Sequence, residues 1–89
     1  MSPKVLAVGA LIFWFHSYDA LHEDRASVHV GKGIQDDEND AKVWLEPRLE
    51  IAKHGHSLKR HELQQVLKIV EQHQDRLREQ WYGYKQRTR

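Results

Sequence analysis

The stretch that decides the fold is SLKRHELQQVLKIVEQHQDRLREQWYGY, residues 57–84. Leu63, Val66, Leu67, Val70, Leu77, Trp81 and Tyr84 recur within it at spacings of three, four and seven. Apolar residues at those intervals line one side of an α-helix, because a turn takes about 3.6 residues. Gln64, Lys68, Glu71, Asp75 and Arg78 fall on the opposite side. Ser57 stands where an N-cap belongs, its oxygen placed to accept from an orphan amide. The spacing predicts one long helix over about 58–84, frayed by Gly83, with residues 85–89 as a loose basic tail.

A helix with one apolar side needs a partner layer, and the upstream sequence reads as strands. Pro3–Val8 and Leu11–Tyr18 flank a tight turn at Gly9-Ala10, and the second of them is rich in aromatics. Asp19–Arg25 reads as a polar loop. Ser27–Val30 is a short strand closed by the turn Gly31-Lys32-Gly33, and Gln35–Asp40 is a solvated acidic loop. Lys42–Leu45 is a further strand ended by Pro47, and Arg48–Ile51 reads as a fifth, with a single helical turn as the alternative. The expectation is a single α+β domain over residues 1–89. Its strands lie within about 3–51, as a small antiparallel sheet of four to five strands covered on one face by the long C-terminal helix.

The apolar run Val5–Phe15 behind Lys4 has the length of a signal-peptide core, and is too short to span a bilayer as a helix. It ends in the bulky rings Phe13-Trp14-Phe15 with no small-residue cleavage site, so strands are the better reading. The chain has no Cys, which excludes a disulfide scaffold, a thiolate zinc site and a Cys nucleophile. The expected setting is cytoplasmic, with no membrane contact. Charge is unevenly spread: residues 19–50 hold nine acids and four bases, residues 51–89 four acids and nine bases. The formal net charge of only +1 argues against strong non-specific nucleic-acid binding.

Alternation gives each strand two faces. Val28, Val30, Val43 and Leu45 share one, and Phe13 and Phe15 fit it as the face under the helix. The other face holds Trp14, His16, Ser27, His29, Lys42 and Trp44. One helix covers one side of a sheet, so this second face is expected to lie open. Three things could occupy it. They are chain segments folded over it, a homodimer or protein-partner interface, or a nucleic acid with bases stacked on Trp14 and Trp44.

His29 is the leading catalytic candidate, since an imidazole exchanges protons near neutral pH. Lys42 could stabilise a phosphoryl charge, and Asp19 could orient the ring if it folds back, which together would make a metal-independent ribonuclease. The alternative is a strand His bonded to a neighbour. His73, inside the apolar stripe, reads as a core-edge residue. His54, His56 and His61 have metal-ligand character but no carboxylate at an obvious fourth position. Asp36, Asp37, Glu38 and Asp40 lack the sharp-turn Gly and distal Glu of a calcium loop. No phosphate-binding loop or nucleophile elbow is present, so neither metal nor cofactor is expected.

The residues together resemble a small prokaryotic family, domain of unknown function 4160. Phe13-Trp14-Phe15 followed by Ser17-Tyr18-Asp19 is similar to its aromatic strand, and Val28-His29-Val30 to its His-centred strand. Ala41-Lys42-Val43-Trp44-Leu45-Glu46-Pro47 resembles its most distinctive segment. The helix with Leu63, Val70, His73, Leu77 and Trp81 resembles its C-terminal helix. The family's His strand commonly carries a second His two residues earlier, where Ser27 stands here. The resemblance implies a toxin–antitoxin setting beside a second small protein. The expected function is therefore an interaction protein of that type, acting through Trp14, His16, His29, Lys42 and Trp44. A ribonuclease toxin using His29, and a non-catalytic nucleic-acid binder, are the alternatives.

Overall fold

The computed structural model describes residues 3–88. Five strands, β1 (Lys4–Val8), β2 (Leu11–Trp14), β3 (Ser27–Lys32), β4 (Ala41–Trp44) and β5 (Glu50–Lys53), form one sheet in the order β1-β2-β3-β4-β5. All four pairings are antiparallel. A short helix α1 (Ser17–His22) lies between β2 and β3, and the 29-residue α2 (Arg60–Thr88) follows β5. The α+β arrangement expected from the sequence is the one observed.

Phe13, Phe15, Val28, Val30, Val43 and Leu45 meet Leu63, Val66, Val70, Leu77 and Trp81 in one buried core. The face beneath α2 is thus the one that alternation selected. Leu67 and Tyr84 pack at its margin, half-buried.

Four local readings change, each for a physical reason. First, β2 ends at Trp14, and Ser17–His22 is helical rather than a strand end and loop. His16 sits at the N-cap and accepts from the Tyr18 amide through Nδ1 at 3.3 Å, a histidine in the role usually taken by Ser or Asp. Second, Ser57 is not a cap: its hydroxyl donates to the Asn39 carbonyl at 2.9 Å. The helix begins at Arg60, and the Lys59 amide donates to the Glu62 carboxylate just inside the first turn. Third, β3 runs through Gly31 to Lys32, and β5 lies two residues beyond its expected start.

Fourth, the basic tail is not loose through its described part. α2 continues to Thr88, and Lys85 is buried, while Arg89 lies outside the described residues. Lys85 Nζ donates to the carbonyls of Ala20 at 2.9 Å and Glu23 at 2.6 Å. Those carbonyls belong to the end of α1, where a cation is favoured by the helix dipole. A six-residue helix is marginal alone, and this lysine fastens it to α2.

Candidate functional site

The antiparallel register sets Trp14 opposite His29, His29 opposite Lys42, and Lys42 opposite Lys53. Directly opposed residues share a face, so these four form a row across the sheet on the side away from α2. Two segments fold over that row. α1 brings Asp19 and Glu23, and the β3–β4 connection brings Asp37 and Asp40.

His29 is held between two carboxylates. Its Nε2 lies 2.6 Å from Asp19 Oδ2, and its Nδ1 lies 2.5 Å from Asp40 Oδ2. Both ring nitrogens thus lie within hydrogen-bond distance of a buried carboxylate oxygen. Lys42 Nζ donates to the Glu23 carboxylate at 2.9 and 3.1 Å and stands 3.4 Å from Asp19. Lys53 forms an ion pair with the other oxygen of Asp40. Three carboxylates thus face two lysines and the His29 ring, and a paired, hydrogen-bonded network is the arrangement in which buried charge is tolerated.

Burial alone would raise the Asp19 carboxyl. The hydrogen bond and charge of His29, with the charge of Lys42, outweigh it and hold that carboxyl below its usual range. Asp40 is fully buried. Its backbone is clamped as well, because Gly55 packs against the Asp40 carbonyl. Gly55 has φ +68°, and a Cβ there would overlap that carbonyl, so the position demands glycine twice over.

The open aromatic face expected from the sequence is closed. Trp14 is 0% exposed and His29 6%. The Trp14 indole donates to Asp37 Oδ1 at 3.2 Å, and its ring stacks beside His29 with centroids 6.2 Å apart. His16, half-buried, reaches the same Asp37 at 3.3 Å through Nε2. It therefore ties the start of α1 to the acidic loop. Trp44 is half-buried at the end of the face, with the Arg25 guanidinium 4.2 Å and the Lys42 ammonium 4.4 Å from its ring centroid. The alternation placed these side chains on one face correctly. It could not register that six residues of helix and an acidic loop would cover them.

Asp19, His29 and Lys42 are brought together, with Trp14 and His16 beside them. Asp40, Lys53, Asp37 and Glu23 were missed by sequence reasoning. Asp40 was read as part of a solvated loop and is instead a buried partner of His29. Its one sequence signal is position: it abuts β4, the strand paired with the one that carries His29. Ser27, where the family often has a second His, is buried, and its hydroxyl has no hydrogen-bond partner among the described residues. Among the described residues no group of three or more His, Cys, Asp or Glu is disposed to hold a metal ion.

Chemically, the network positions rather than presents. Both imidazole nitrogens are engaged inside the protein, and the ring is buried. Fold and site together define a class: a small α+β domain with a five-stranded meander, one long helix on one face and a buried carboxylate–imidazole–lysine network on the other. Residues 11–82 match the family described as a domain of unknown function, DUF4160, and the chain belongs to that family. No curated protein and no solved structure matches it. Among the described residues no helix is long and apolar enough to cross a membrane.

Proposed function

We propose that this chain is a small interaction protein of toxin–antitoxin type that acts through a protein partner. The observation that carries the reading is a contrast between two layers. The chemistry-bearing side chains of the second face are committed to one another, while the segments covering them carry large apolar side chains outward. Tyr18 and Leu21 on α1 are 62% and 52% exposed, and Ile34 at the start of the acidic loop is 66% exposed. The same two segments are rich in acids, with Asp36, Asp37 and Glu38 on the loop and Glu23 and Asp24 just after α1. Exposed apolar anchors on acid-rich segments suit a protein-binding surface, and the acids favour a partner with basic residues. The binding surface thus moves from the sheet face to the layer above it. The toxin–antitoxin setting itself comes from the family resemblance.

The test is a quantitative pull-down comparing the parent with Tyr18→Ser/Leu21→Ser, followed by reconstitution with the purified captured protein. Both positions are exposed, so the double variant should keep its fold. The expected result is one protein, bound directly by the parent and lost in the variant. Growth of a bacterial host expressing the chain with and without that protein then reads the toxin–antitoxin relation. RNA cleavage by the purified chain that survives chelation, and is lost in a folded His29→Asn variant, would overturn the reading in favour of the ribonuclease.

A further inference from the structure

On the α2 side of the molecule, away from the covered face, an open cleft of about 490 Å³ lies between the tip of the β1–β2 hairpin and the first half of the helix. Val8, Leu11 and Ile69 are its large apolar walls, and Lys32, Glu62 and Lys68 bring its charges. Its size falls in the usual range for small-molecule sites. Val8 is 40% exposed there, a large apolar side chain left in water.

The charges decide what suits the cleft. Glu62 is matched by Lys32, whose Nζ lies 2.7 Å from its carboxylate. That pairing, first among the causes, holds the Glu62 carboxyl below its ordinary value and so keeps it ionised. Lys68 has no such partner: no carboxylate lies within ion-pair distance of it among the described residues. The cleft therefore joins apolar walls to one uncompensated positive charge.

We propose that this cleft binds a small amphipathic carboxylate, an apolar chain ending in one carboxylate group. The chain lies on Val8, Leu11 and Ile69, and the carboxylate meets the Lys68 ammonium. An apolar chain gains by leaving water, and the single free cation fixes which end lies outward. The inference does not rest on the protein-partner reading, because the two surfaces share no residue.

The test titrates sodium decanoate into the isotopically labelled protein and follows backbone amide shifts. Decyltrimethylammonium and acetate serve as controls. Saturable shifts confined to the surroundings of Val8, Leu11, Gln65, Lys68 and Ile69 are expected with decanoate. Acetate should give none, since it lacks the chain. Lys68→Glu, at an exposed position that leaves the core untouched, should weaken decanoate roughly three- to tenfold and leave the cationic amphiphile no weaker. Ile69→Trp should fill the cleft and remove binding. Absence of saturable shifts below the concentration at which decanoate itself aggregates would overturn the proposal. So would equal binding of the cation to the parent, or an unchanged affinity in Lys68→Glu. Binding of a short apolar–acidic peptide in place of decanoate would overturn it too.

Discussion

Replacing His29 by Ala should strongly destabilise the folded protein at neutral pH. The substitution removes the donor that stands 2.6 Å from Asp19 and 2.5 Å from Asp40, both buried. It leaves two carboxylates facing a gap with Lys42 and Lys53 on their outer sides. Hydrogen bonds to charged groups contribute about 1.5–3 kcal/mol each. Breaking a buried ion pair by deleting one member costs about 3–5 kcal/mol. The two routes overlap and do not add, so the expected loss is about 3–5 kcal/mol, against a total of about 5–15 kcal/mol for a domain. Urea unfolding followed by far-ultraviolet circular dichroism reads it as a lower midpoint at an unchanged slope.

The effect carries a pH signature. The Asp19 carboxyl is held below its usual value in the folded protein, with His29 the leading favourable cause. Its contribution is therefore fully present above the unfolded-state value and is lost as pH falls through the lower folded one. The parent should lose stability as pH drops below about 4, and His29→Ala should lose less over the same interval, having lost that contribution already. A His29→Ala unfolding free energy within about 1 kcal/mol of the parent at neutral pH would refute the reasoning. It would mean that the two carboxylates find other partners, and that the imidazole is not what holds the covering segments down.

Three further expectations concern the frame around the network. Gly55→Ala should cost more than about 2 kcal/mol in the same unfolding assay, since it meets both a left-handed φ and the Asp40 carbonyl. Trp81→Ala should cost about 3–5 kcal/mol, because the ring is fully buried, and Leu67→Ala less, because Leu67 is only half-buried at the core margin. Lys85→Met keeps the length of the side chain but strips two carbonyls of their donor, at about 1–3 kcal/mol. Hydrogen exchange should then quicken in α1 before it does in the sheet.

The amino-acid sequence by itself determined the layers and the faces. Period-2 alternation put Phe13, Val28, Val30 and Val43 on one side and Trp14, His29, Lys42 and Trp44 on the other, and the 3.6-residue stripe from Leu63 to Trp81 chose which side the helix covers. Those are local signals, carried by residues a few positions apart. Alternation likewise put His29 and Lys42 on one face, while Asp19 reaches them only because Ser17–His22 is helical and folds back over the sheet. The tertiary structure alone decided that the second face is closed. Asp40 lies eleven residues from His29 and reads as one acid among several in a polar loop. Only the fold turns it inward, because the Asn39 carbonyl is bound by the backbone at His56 and Ser57 while Gly55 presses on the next residue. Lys85, 65 residues from the carbonyl it serves, looked like tail and proved to be the clamp on α1. Pairings between distant segments depend on how loops close in space, and a one-dimensional pattern of polarity contains no term for that.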